Sequence, residues 1–105
     1  MKNRDFQIVY QKGKSYANKY LVMYILRNNT VENRLGISVS KKVGNSVIRH
    51  RITRLIRESY RLQESKFQNG FDIVVIARAS AKGKTYQEIE SAMIHLGKLH
   101  NIIDL

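Results

Sequence analysis

The sequence predicts one α+β domain over residues 1–105, a small mixed sheet with helices packed on it. A chain of 105 residues can form one compact core and is too short for two. Hydrophobic residues make up 43% of it, which is enough for independent folding. Apolar residues recur at helical spacing in some segments and alternate as in strands in others. The predicted order is α-β-β-β-α-β-α, in which the first strand, at about residues 14–18, has the weakest pattern.

The elements of the N-terminal half follow from these two periods. Residues 5–12 carry apolar side chains at helical spacing, and Gly13 ends the pattern. Residues 20–27, YLVMYILR, form a β-branched and aromatic run typical of a strand. Residues 35–41 alternate apolar and small side chains, which predicts a half-buried strand.

The C-terminal half contains a long helix, a buried strand and a final helix. Residues 46–66 have a helical pattern that Asn45 or Ser46 could cap. Residues 71–78 form an apolar run of strand length, which predicts a central strand buried on both faces. Thr85, with a glutamate three residues later, forms a capping box that begins the last helix.

Positive charge is concentrated in one segment. The chain has 19 Lys and Arg against 8 Asp and Glu, a formal net charge of +11. Residues 41–61 hold seven of the basic residues and one acid, Glu58. A surplus of this size on a small domain indicates a polyanionic partner.

Helical phasing makes the long helix two-sided. Its predicted apolar stripe consists of Ile48, Ile52, Leu55, Ser59 and Leu62, with Ile56 at the margin. The opposite stripe consists of His50, Arg54, Arg57 and Arg61, with Arg49 and Arg51 projecting to either flank. Arginine binds phosphate oxygens through two parallel hydrogen bonds, so this face suits a nucleic-acid backbone. Lys41, Lys42 and Asn45 precede the helix and could complete a phosphate cradle with its first amides.

Aromatic residues predict a second contact surface. Strand alternation places Tyr20, Val22, Tyr24 and Leu26 on one face of the sheet. Tyrosines on an open face can stack unpaired bases, and Phe6 and Tyr10 of the first helix could complete a groove. The alternative is that these rings are core residues.

The segment SVSKKVGNSVIRHRITRLIRE, residues 38–58, resembles the signature of the bacterial ribonuclease P protein subunit. The resemblance extends to residues 5–13, to the strands at 20–24 and 71–77, and to the last helix, and so covers nearly the whole chain. His50 stands where the family has asparagine, and Thr53 where it has lysine. The two flanking arginines remain, so the electrostatic role of the segment should persist.

That resemblance implies a function and a fold detail. In the family, a catalytic RNA uses Mg²⁺ to cleave the 5′ leader from precursor tRNA, and the protein is an accessory subunit without catalytic or metal-binding residues. It implies a cytoplasmic 1:1 ribonucleoprotein and a left-handed β-α-β crossover around the basic helix. The residues expected to contact the catalytic RNA are Lys41, Lys42, Asn45, Arg49, His50, Arg51, Arg54, Arg57 and Arg61. Those expected to line the leader cleft are Phe6, Tyr10, Val22 and Tyr24.

Other functions are less consistent with the sequence. Its three histidines and scattered acids form no pattern of a protein-borne nuclease site. The absence of cysteine excludes disulfides and thiolate metal sites. The basic helix has no companion at helix-turn-helix spacing, and no apolar segment is long enough to cross a membrane. A structural RNA-binding protein of the ribosomal type remains the main alternative.

Overall fold

Residues 1–104, which the computed structural model describes, form three α-helices and a four-stranded mixed sheet, and this confirms the α+β prediction. Two short 3₁₀ turns span Glu64–Lys66 and Ala79–Ala81. The elements in chain order are α1 (Asn3–Lys12), β1 (Lys14–Ala17), β2 (Leu21–Arg27), β3 (Arg34–Ser38), α2 (Ser46–Gln63), β4 (Phe71–Ala77) and α3 (Tyr86–Leu99).

The sheet has the strand order β1-β2-β4-β3. Strand β2 is antiparallel to both of its neighbours, β1 and β4, and Met23 lies opposite Val75. The edge strand β3 is parallel to β4, with Ile37 opposite Val75. Because α2 connects this parallel pair, the structure contains the expected β-α-β unit, and its left-handed crossover stays a prediction.

The two faces of the sheet are covered by different helices. Alternate residues Leu21, Met23, Ile73 and Val75 belong to the main core, which also contains buried residues of α2 and α3. Helix α1 contacts β2 and β4 and buries Val9 completely. The other face is therefore covered by α1 alone and leaves much of β2 accessible there.

The buried stripe of α2 differs from the predicted one. Ile56, predicted at the margin, is fully buried, whereas Leu62 is 52% exposed. Helix α2 packs against α3 as well as β3, and the ring of Tyr60 packs on Phe67 with centroids 5.2 Å apart. Because α2 also packs against α3, its buried face includes Ile56 and Tyr60, and Leu62 is left in solvent.

Three other predictions need correction. Tyr20 precedes β2, and its hydroxyl donates to Glu88 Oε2 of α3 at 3.2 Å, so it is not on the α1 face. The predicted strand at residues 35–41 ends at Ser38, and the predicted helix at 46–66 becomes a 3₁₀ turn after Gln63.

No helix within residues 1–104 combines the length and apolar character that a membrane span requires.

Candidate nucleic-acid interface

The turn before α2 is held in place by local contacts. Val43 is buried, while Lys41 and Lys42 are exposed. Asn45 caps the helix, since its side-chain oxygen accepts a hydrogen bond from the Ile48 amide at 3.0 Å. A Cβ atom at Gly44 would lie 2.8 Å from Ile48 Cγ2, so the close approach requires glycine. The two lysines are thereby fixed beside the positive end of the helix.

The solvent face of α2 carries two arginines that have no partners among the described residues. Arg54 and Arg57 are exposed, and among residues 1–104 neither makes a side-chain hydrogen bond or ion pair. Arg61 pairs with Glu58, its Nε donating to Oε2 at 3.1 Å. This pairing raises the pKa of Arg61 and lowers that of Glu58, but an exposed pair contributes little to stability. The face is thus self-repelling until an anion binds.

Arg49 lies on the β3 flank of α2 and is half-buried. Its Nε atom is buried without a hydrogen-bond partner among the described residues. The surrounding groove has a volume of about 400 Å³ and is lined by Ile37, Val39, Ser46, Arg49, His50, Thr53, Arg54 and Arg57. An unsatisfied buried donor costs about 1–3 kcal/mol, so an acceptor such as a phosphate oxygen would be favoured in this groove.

Arg51 lies on the opposite flank of α2, as the phasing predicts. Its Nη2 atom donates to the carbonyl oxygen of Lys84 at 3.0 Å. A concavity of about 600 Å³ on this flank is lined by Ser46, Val47, His50, Arg51, Arg54, Leu55 and Glu58. His50 and Arg54 border both this concavity and the Arg49 groove, so they form a ridge between them.

The predicted aromatic cleft forms between α1 and the open face of the sheet. The Tyr10 and Tyr24 rings meet edge to face, with centroids 5.1 Å apart and planes at 70°. The Phe6 ring is 6.3 Å from that of Tyr10. Val22, half-buried, lies two residues before Tyr24 on the same face. The structure therefore places all four predicted cleft residues on one side of the sheet.

Phe6 also has a packing role. A Cβ atom at Gly36 would lie 2.7 Å from Phe6 Cζ, so the ring sits directly against the β3 backbone. A groove of about 410 Å³ runs past this contact and is lined by Asn3, Phe6, Gln7, Tyr10, Ile37 and Ser38. Ile37 also lines the Arg49 groove, so this groove, which Phe6 and Tyr10 line but Val22 and Tyr24 do not, adjoins the arginine face at β3.

Asp72 positions α1 over the sheet, although the sequence patterns did not identify it. Its carboxylate accepts hydrogen bonds from Arg34 Nε at 2.8 Å and Nη2 at 2.6 Å, and from Asn28 Nδ2 at 3.0 Å. Arg34 Nη1 lies 3.7 Å from Asp5 Oδ2 on α1. The Arg34 hydrogen bonds lower the pKa of Asp72, against the opposing effect of burial. The available signal was a lone carboxylate in the apolar strand FDIVVIA.

The charges of residues 1–104 do not gather into a metal site. No group of three or more His, Asp or Glu side chains comes together in this part of the chain. His100 is engaged elsewhere, its Nε2 lying 2.8 Å from the Met23 carbonyl oxygen. Burial lowers the pKa of His100, and this outweighs the hydrogen bond.

Known proteins match both the sequence and the fold. The family model of ribonuclease P matches residues 1–100. The ribonuclease P protein component of Lachnoclostridium phytofermentans is 65% identical over 101 residues, which cover 96% of this chain and 87% of that protein. The Staphylococcus aureus ribonuclease P protein has a TM-score of 0.90 at 43% identity and covers 99% of this chain and 95% of its own. The Thermotoga maritima ribonuclease P protein has a TM-score of 0.84 at 32% identity, covering 90% and 91%.

Fold and charge together define a class, the small basic α+β proteins that present an arginine-bearing helix to a polyanion. Within that class, the chain belongs to the ribonuclease P protein family. Its place is therefore in tRNA 5′-end processing, as the protein component of a ribonucleoprotein nuclease.

Proposed function

We propose that the chain binds the catalytic RNA of ribonuclease P through α2 and the 5′ leader of precursor tRNA through the aromatic cleft. In this proposal it assists Mg²⁺-dependent removal of the leader, and the active site belongs to the RNA. The observation that carries the proposal is that Arg54, Arg57 and the buried Nε of Arg49 have no hydrogen-bond partner among residues 1–104.

The arginine face suits a folded RNA because its donors are held at different depths. Arg54 and Arg57 extend into solvent, whereas Arg49 lies in a groove. Phosphates of one strand could pair with the exposed guanidinium groups while another phosphate enters the groove. Such contacts are driven largely by counterion release, so binding should weaken steeply with salt.

The cleft suits a single strand because its aromatic rings are accessible. Tyr10 is 37% exposed, and Tyr24 supplies a second ring against which an unpaired base can stack. Stacking is tolerant of sequence, which fits a leader that differs from one precursor to another. The groove lined by Phe6 and Tyr10 meets the arginine face at Ile37, so one strand could pass from the first surface toward RNA bound on the second.

The chemistry is assigned to the RNA and its bound Mg²⁺. The described residues do not fit a magnesium site of their own, since no cluster of carboxylates is present among them. The proposal further includes a 1:1 complex with the RNA in the cytoplasm.

The test is a reconstitution of the protein with a bacterial ribonuclease P RNA at low Mg²⁺. Cleavage of precursor tRNA is measured with long leaders and with leaders truncated to a single nucleotide. Protein-dependent stimulation that requires the long leader supports the proposal. Equal binding to unrelated RNAs without stimulation would favour a structural RNA-binding protein of the ribosomal type.

Two sets of variants separate the surfaces. Arg54→Gln with Arg57→Gln should weaken RNA binding and reduce its salt slope by roughly 0.7–0.9 log units per lost phosphate contact. The matched control, Lys66→Gln with Lys98→Gln, removes the same charge from exposed positions outside the arginine face. Tyr24→Ala should selectively impair long-leader substrates, while Tyr24→Phe keeps the ring and its stacking. Equal effects on long and truncated leaders would contradict the cleft assignment.

A further inference from the structure

A further groove lies on the other side of the sheet from the aromatic cleft. It runs between the β1–β2 turn and the outer face of α3 and has a volume of about 410 Å³. We call it the Tyr20 groove, and its lining includes Asn18, Lys19, Tyr20, Gln87, Ser91 and His95. Its size is within the range of pockets that bind small ligands.

The rim of the Tyr20 groove is basic. Lys19 Nζ lies 5.7 Å and Lys84 Nζ 5.4 Å from the centroid of the Tyr20 ring. One acid, Glu88, also lines the groove, and it already accepts hydrogen bonds from the Tyr20 hydroxyl and from Thr85. Two ammonium groups thus lie near one ring, and their positive charge would favour a phosphate at this rim.

The wall of the groove presents hydrogen-bonding groups in a fixed orientation. Asn18 Oδ1 accepts from the amides of Tyr20 at 3.2 Å and Leu21 at 3.0 Å, which sets the direction of the side-chain amide. Asn18 Nδ2 therefore donates to the Ala92 carbonyl at 2.9 Å and to His95 Nδ1 at 3.2 Å. With Nδ1 accepting, the neutral His95 ring carries its proton on Nε2, as a donor on an exposed side chain.

These features together suit an unpaired nucleotide. Tyr20 and His95 supply flat rings, and Gln87 and Ser91 are exposed polar side chains that can meet a base edge. The lysines supply the countercharge for the phosphate. A wholly apolar ligand would gain nothing from this rim, and a duplex end would not enter a groove of this size.

The position of the groove selects which RNA would fill it. Arg51 Nη2 donates to the Lys84 carbonyl, so the rim is a direct continuation of the arginine face of α2. The Tyr20 hydroxyl bonds to α3, which packs on the sheet face opposite α1 and Tyr24. We propose that the Tyr20 groove binds one unpaired nucleotide of the RNA subunit, with its phosphate between Lys19 and Lys84. This inference rests on the proposed function.

Directed cleavage of the RNA tests the location. Because the chain has no cysteine, Ser91→Cys creates a single exposed attachment point in the groove for an iron chelate that generates hydroxyl radicals. In the complex with the RNA subunit, we expect cuts confined to one short unpaired segment. Asn69→Cys, exposed at the far end of β4, is the control and should give a different cleavage pattern.

Binding measurements test the chemistry. Lys19→Gln with Lys84→Gln should weaken affinity for the RNA subunit and reduce the salt slope by roughly 0.7 per lost single-strand contact. The control, Lys12→Gln with Lys98→Gln, removes equal charge elsewhere. In the Ser91→Cys background, this control should leave cleavage of the short unpaired segment intact, whereas the Lys19 and Lys84 substitutions should reduce it. Unchanged affinity and slope, or the absence of localised cuts from position 91 in the RNA subunit, would overturn the inference. If the wild-type protein stimulates cleavage and these variants behave like it, only this inference fails; if the wild type does not stimulate, the proposed function itself fails.

Discussion

Replacement of Asp72 by asparagine should destabilise the fold and loosen α1. The side chain of Asp72 is 7% exposed and accepts two hydrogen bonds from Arg34, at 2.8 and 2.6 Å. An amide of the same shape keeps one acceptor oxygen but loses the charge and one acceptor position. Arg34 would then lack its main partner, and its link to Asp5 on α1 would be less well positioned.

The magnitude follows from the exposure of the two partners. Hydrogen bonds to charged groups contribute about 1.5–3 kcal/mol each, at full burial. The side chain of Arg34 is 50% exposed, so water recovers part of that loss. We therefore expect the weakening of the two Arg34 hydrogen bonds to decrease the free energy of unfolding by about 2 kcal/mol in total. For a domain of this size that corresponds to roughly 8–16 °C in Tm.

Urea unfolding at pH 7 measures this difference, with the exposed Asp104→Asn variant as the control. The pKa of Asp72 is lowered from its ordinary value of 3.8 in the folded state, so the carboxylate stabilises the fold above about pH 4. That contribution is lost as the pH falls through the folded pKa, and the wild type and variant should converge in acid. A difference below about 0.5 kcal/mol at neutral pH, within the range of ordinary surface substitutions, would refute the reasoning.

Three further predictions concern other elements. Gly36→Ala places a Cβ atom 2.7 Å from Phe6 Cζ and should cost about 1–3 kcal/mol while impairing long-leader cleavage. Burial lowers the pKa of His100, so folding stability should decrease as the pH falls below about 6.5, and His100→Gln should flatten that dependence in urea unfolding. Thr85→Ala removes the N-cap of α3 and should cost about 1 kcal/mol in thermal unfolding, whereas Thr85→Ser should retain the cap.

Each of these predictions has an outcome that contradicts it. A Gly36→Ala protein of wild-type stability would show that Phe6 moves aside freely. If wild-type stability were flat between pH 8 and 5.5, the neutral form of His100 would not be favoured by folding. Equal stability of the alanine and serine variants at position 85 would mean that the cap hydrogen bond makes no net contribution.

Local chemistry determined most of what the sequence predicted correctly. The cap at Asn45, the capping box at Thr85 and the alternation in β2 depend on neighbours within a few residues. The flanking positions of Arg49 and Arg51 follow from helical geometry alone. Such features are legible in a sequence because the interacting groups are close along the chain.

Features that depend on distant partners were not predictable. Leu62 was assigned to the apolar stripe because the packing of α2 on α3 has no local signal. Strand alternation predicts Tyr20 on the open face, but Tyr20 lies one residue before the paired part of β2. There the Asn18 side chain accepts a hydrogen bond from the Tyr20 amide, and the backbone turns. The choice of sheet face by α1 is also tertiary, because both faces of β2 are apolar.

The placement of α1 on its own side of the sheet has a consequence for how the molecule opens. Only Val9 of this helix is fully enclosed, and the interlocked side chains of the main core all lie across the sheet. Lifting α1 would expose Val9 and Val74 but leave the main core packed, so we expect the α1 amides to exchange with solvent through partial opening rather than global unfolding. Because α1 forms one wall of the aromatic cleft, its movement would widen the space available to a single strand. The arginine face on α2 would stay in place during that movement.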